Sequence, residues 1–103
     1  MNTFEFDGSK VFTVNDKDSN VWFKGYDIAN ILGYAKPANA IITHVDIEDK
    51  QHRGNFPESG QYEKNERNQI MINESGMYSL ILRSKLESAK AFKRWITSEV
   101  LRE

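Results

Sequence analysis

Lys90, Lys93 and Arg94 recur at the spacing of one helix face, with Thr97 one turn further on. Cations set out this way can neutralise successive phosphates of a nucleic acid. Arg83 and Lys85 precede them, so residues 83–94 carry five cations against one acid, Glu87. The same charges have a plainer reading. A basic strip opposite an apolar stripe is a solvated helix face, and Arg83 and Lys85 suit a helix C-terminus, where cations complement the dipole.

A second group is Lys36, Asn39 and Thr43. If the helix that holds them enters a major groove, all three lie near DNA, and Asn39 can pair bidentately with an adenine edge. Catalytic groups are harder to find. His44 and His52 have no companion cysteine and no helical partner of the zincin type. There is no phosphate loop, no Gly-x-Ser-x-Gly and no dinucleotide fingerprint. "DIED" (46–49) gathers three acids, and a solvated turn accounts for them. An enzyme is therefore not expected, nor a cofactor, a metal or a small-molecule substrate.

The elements that must position these residues follow from periodicity. Phe4 and Phe6 alternate with Glu5, Asp7-Gly8 is a hairpin-turn pair, and Val11, Phe12 and Val14 follow. "NDKDSN" (15–20) is a second turn, after which Val21-Trp22-Phe23 resumes an extended run. Trp22 and Phe23 are either stacking aromatics or core, and core is the commoner outcome. In "GYDIANILGY" the residues Ile28, Ile31 and Leu32 fall at helical spacing, and Gly33 stands where a left-handed stop belongs. "AKPANAIITHV" restarts that period with Pro37 in the first turn and Ala40, Ile41 and Val45 inward. The two short helices predict a helix-turn-helix-like pair.

Residues 46–69 are polar, and a long, partly extended excursion is expected there, with a hairpin tip near Glu58-Ser59-Gly60. Residues 46–67 carry six acids against four bases, so this segment makes a poor phosphate-binding wing. Ile70-Met71-Ile72 predicts a short strand. Asn73 is a candidate N-cap with Glu74 in the first turn. Met77, Tyr78, Leu80, Ile81 and Leu82 make the next helix apolar nearly all round, which predicts burial. A last helix is expected from about Glu87 to Leu101, with Ala89, Phe92, Ile96 and Val100 on its inner stripe and Trp95 beside it. No helix stop precedes Arg102-Glu103, which is expected of one domain, 1–103, at the N-terminal part of a longer protein.

The fold class is thus α+β: a small antiparallel sheet of short strands packed with about four helices. At 103 residues the chain suits one domain with a single core. Its 14 basic and 15 acidic side chains nearly balance, so the placement of charge, not its total, carries the DNA argument. There is no cysteine, no secretory leader and no apolar run of the roughly 18 residues a membrane span needs. Cytoplasmic residence, with no membrane partner, is the expectation.

Three blocks, "VWFKGYDIANILGY", "AIITHV" and "INESGMYSLILRSKLESAKAFKRWITSEVL", resemble in order and spacing the BRO N-terminal domain of baculovirus repeated-ORF proteins and phage antirepressors. The likeness runs from about Phe6 to the last residue. Its most specific parts are the Asn-Glu-Ser-Gly-x-Tyr start, the Arg-Ser-Lys junction and the Phe-Lys-x-Trp helix ending in Ser-Glu-Val-Leu. The resemblance implies an α+β domain that binds DNA, often without sequence preference, in a bacterial host cell. The alternative is a module that docks a phage repressor or a second copy of itself without touching DNA.

Overall fold

Asp7 and Gly8 both hold positive φ, 51° and 83°, the twist that joins two antiparallel strands through a two-residue turn. On either side β1 (Asn2–Phe6) and β2 (Ser9–Asn15) pair from Phe6↔Ser9 to Asn2↔Thr13. The computed structural model describes residues 2–56 and 66–101. The hairpin tip expected at Glu58-Ser59-Gly60 lies outside them, as does Arg102-Glu103.

The turn before β3 (Val21–Lys24) is built on Asp16. Its carboxylate accepts the Trp22 indole N–H at 3.0 Å and the amides of Asp18 and Asn20 at 2.9 Å. These bonds, the Trp22 one foremost, hold its pKa below the ordinary carboxylate value. Strands β4 (Lys50–His52) and β5 (Ile70–Ile72) complete an antiparallel sheet of order β1-β2-β3-β5-β4. Residues 70–72 thus form an inner strand, and β4 is an edge strand inside the segment expected to be a long, partly extended excursion. Its three polar side chains, Lys50-Gln51-His52, show no apolar alternation and so gave no strand pattern. Pairing with β5 supplies the order instead.

Both faces of the sheet are covered, which explains why β3 and β5 read as unbroken apolar runs. Val11, Phe23 and Ile72 face the helices in the main core. Val14, Trp22 and Met71 point the other way and are sealed by Phe56, whose ring lies 5.3 Å from that of Trp22. Arg53 is buried on that same side. Its guanidinium sits 4.4 Å over the Phe12 ring and 3.5 Å from the Glu66 carboxylate. The ring and the carboxylate offset part of the cost of burying that charge. Trp22 and Phe23 are both core.

Helix α1 (Gly25–Ile31) ends as its sequence predicts. Gly33 takes φ 84°, its amide donates to Asn30, and the Tyr34 amide reaches back to Ala29, the paired bonds of a Schellman stop. Pro37 opens α2 (Pro37–His44), which buries Ala40 and Ile41, and Val45 behind them. Asn73 caps α3 (Glu74–Arg83) by accepting the Gly76 amide at 2.9 Å, and its own amide group donates to Asp49 at 3.1 Å. The "DIED" acids therefore form a turn tied to a helix cap, and no metal cluster gathers among the described residues.

Two expectations for the C-terminal helices need correction. Met77, Leu80 and Ile81 are buried, but Leu82 is 81 % exposed, because no described element packs on that side of α3. The final helix is also not uniform. α4 runs Ser88–Trp95, and Ile96–Val100 widens into a π-helical turn in which the Leu101 amide bonds to the Ile96 carbonyl at 2.9 Å. Hydroxyls of Thr97 and Ser98 donate to the carbonyls of Lys93 and Arg94, satisfying acceptors at the change of pitch. No helix among the described residues is long and apolar enough to cross a membrane.

Candidate nucleic-acid interface

α4 is held against the sheet by three aromatic rings. Phe6 on β1 meets Phe92 edge-on at 5.3 Å and Trp95 at 5.1 Å, and Phe92 and Trp95 lie 5.8 Å apart. With Ala89, Phe92 and Ile96 buried, helical geometry turns Lys90, Lys93 and Arg94 outward, and all three are exposed. Thr97 does not extend the strip outward, since its hydroxyl is bonded back to the helix.

The nearby acids Glu87 and Glu99 form no ion pair with this face among the described residues. Among the described residues, none of Lys36, Arg83, Lys85, Lys90, Lys93 and Arg94 takes part in an ion pair. An exposed cation without an ion-pair partner is available to an incoming anion, with an attraction that salt screens.

On α2, burial of Ala40 and Ile41 leaves Asn39, Ile42 and Thr43 on the solvent side, with Lys36 exposed at the cap. Ile42, 63 % exposed, was not singled out by sequence pattern. Its signal was its place between Asn39 and Thr43 on one helical face.

These two groups are separated in the packing by α3, which contacts both α2 and α4. One seam links them. The Ser84 hydroxyl donates to the Leu32 carbonyl at 2.8 Å, and Leu86 presses on Gly33, where a Cβ would stand 2.5 Å from its methyl. The Tyr34 hydroxyl donates to the Leu80 carbonyl at 2.7 Å, and its ring lies 5.9 Å from that of His44 at the end of α2. Burial pushes the Tyr34 pKa upward, and the Arg83 charge acts against that rise. The connection between α1 and α2 is thereby seated on residues 80–86. Lys36, Arg83 and Lys85 flank that seam in the sequence, and Lys90 and Lys93 line the same concavity as its Ser84 and Leu86.

The arrangement leaves exposed positive charge at the cap of α2, at the end of α3 and along α4. It also matches known sequences. The profile described as "BRO family, N-terminal domain" fits residues 10–102.

The chain belongs to the BRO family.

Relatives of this Bro-N domain include an uncharacterised Haemophilus influenzae protein, 31 % identical over 98 % of the chain and 48 % of the relative. Another is a Bro-N domain-containing protein of Acanthamoeba polyphaga mimivirus, 34 % identical over 97 % of the chain and 45 % of the relative. A third, from Invertebrate iridescent virus 6, is 30 % identical over 78 % of the chain and 22 % of its own length. The chain spans less than half the length of these curated relatives. No solved structure matches it significantly.

Proposed function

We propose that this Bro-N domain binds DNA, chiefly through the phosphate backbone, as the N-terminal part of a regulatory protein of the phage or prophage antirepressor type. The observation that carries the reading is that Lys90, Lys93 and Arg94 stand outward on one helix face with no ion-pair partner among the described residues. Arg83, Lys85 and Lys36 add positive charge at the α1–α2 seam. Asn39 and Thr43 present polar groups on α2 that can meet base edges.

Phosphate contacts of this kind set affinity and orientation, whereas sequence preference must come from α2. The acidic balance of residues 46–67 favours a footprint confined to α2, the seam and α4. The working site is then the cytoplasm of the host cell, where the DNA lies. A salt-titrated binding assay on duplex DNA, comparing the wild type with a variant neutralised at Lys90, Lys93 and Arg94, tests the reading directly.

A further inference from the structure

One concavity of the described structure lies away from α2. It is an open groove of ≈ 850 Å³ between the C-terminal half of α3 and the start of α4. Tyr78, Ile81, Leu82, Leu86 and Ala89 form its apolar wall, and Lys90, Lys93 and Glu87 stand around it. Leu82 at 81 % and Leu86 at 45 % exposure leave large aliphatic surface in water. Phosphate binding does not explain this. A DNA backbone gains nothing from two exposed leucines, while burying such surface drives association of proteins.

We propose that this groove docks an amphipathic helix whose apolar stripe is flanked by acidic side chains. The shape argument comes from α3. Tyr78, Ile81 and Leu82 lie at i, i+3 and i+4 and form a ridge on one helix surface, and a second helix lays its own apolar residues beside such a ridge. The charge argument selects the flanks. Lys90 and Lys93 line the groove, and Arg83 and Lys85 lie on the chain between its two walls, against Glu87 alone. The cations are unpaired among the described residues. A second copy of this domain would set those four cations against the same four, so self-docking is disfavoured and an acidic partner is favoured. The inference does not depend on the DNA reading, although Lys90 and Lys93 serve both.

The test uses a synthetic helix of about four turns, with a leucine stripe flanked by glutamates, beside the same helix with lysines in place of the glutamates. Fluorescence anisotropy against the wild-type protein is expected to show the acidic helix binding at least about tenfold tighter than the basic one. Leu82→Ser, a change at an exposed position, is expected to weaken the acidic helix about tenfold while leaving the melting temperature and DNA affinity unchanged. K90E/K93E is expected to reverse the order of the two helices. Equal binding of the two helices, or an acidic-helix affinity indifferent to Leu82→Ser, overturns the proposal. So does a concentration-dependent dimer in sedimentation that Leu82→Ser abolishes, since the groove would then belong to a second copy. A wild-type protein that ignores DNA but still discriminates between the helices sinks the DNA reading and keeps this one.

Discussion

The Tyr34 hydroxyl donates a hydrogen bond of 2.7 Å to the carbonyl of Leu80, 46 residues further along the chain. Leu80 belongs to the last turn of α3, where carbonyls have no partner within the helix. The tyrosine therefore caps one helix from the connection between two others. It fixes α2 relative to the cationic junction at Arg83 and Lys85.

Tyr34→Phe keeps the ring and removes that bond. The expected loss is about 1 kcal/mol of folding stability, the usual net value of one hydrogen bond, read from urea unfolding. The wild type should also lose stability as pH rises. Burial raises the Tyr34 pKa above its ordinary 10.0, so its contribution is complete below that value and fades as the phenol ionises through its folded pKa. Tyr34→Phe should show less of this alkaline decline. An identical decline in both proteins would assign it to other groups, such as Tyr78, whose pKa is likewise raised by burial.

Asp27 gives the opposite kind of pH test. Strand β2 runs on past the point where β3 gives way to α1, and the Phe12 amide donates to the Asp27 carboxylate at 2.9 Å. Desolvation nevertheless raises the Asp27 pKa above 3.8, outweighing that bond and the Lys24 charge. A raised carboxylate pKa means stability that is full in acid and is lost as pH rises through the folded value. Asp27→Asn retains an oxygen acceptor without the charge. Thermal melts should find it at least as stable as the wild type at neutral pH, with the gap closing near the carboxylate's ordinary value of 3.8. A variant clearly weaker at neutral pH would show that the ionised carboxylate is net stabilising.

Neutralising Lys90, Lys93 and Arg94 together should reduce both the affinity for duplex DNA and its dependence on salt. If about four cations each neutralise a phosphate, wild-type affinity falls roughly 10²-fold between 50 and 200 mM salt. Removing three should leave a slope near that of a single contact. DNA binding undetectable at low salt, or a triple variant with wild-type affinity and slope, removes the backbone-binding proposal.

Asn39→Ala separates base reading from backbone positioning. Should α2 enter a groove, the variant loses preference for its favoured sequence by about 1–3 kcal/mol while binding to other sequences changes little. Uniform loss over a panel of duplexes would restrict Asn39 to a positioning role.

The Asn73 cap can be tested without any ligand. Asn73→Ala removes the acceptor for the Gly76 amide and the donor to Asp49. Cap loss costs about 1 kcal/mol, and the broken tie to Asp49 should add to it. Asp49→Ala, which spares the cap itself, should cost less. Equal costs in the two variants would mean that the tie between Asn73 and Asp49, not the cap, dominates.

The parts of this domain legible in its sequence are those governed by chemistry within a few residues. Asp7-Gly8 demands a tight turn, Gly33 a left-handed stop, Pro37 a helix start and Asn73 a cap, and each stands where it was expected. The inner stripe of α4 and its cationic outer face follow from helical spacing in the same way. Family membership was readable too, through whole blocks of ordered residues.

Long-range packing decided the rest. Residues 50–52 became a strand because β5 offered an edge, and Arg53 was buried because Phe12 and Glu66 met it there. Leu82, as apolar as its neighbours, stayed in water because nothing described covers its side of α3. Hydrophobicity states what a side chain gains from burial, but only the arrival of distant elements determines which side chains are buried. The groove beside Lys90 and Lys93 exists for that reason. Its walls come from two helices whose relative placement no local pattern specifies.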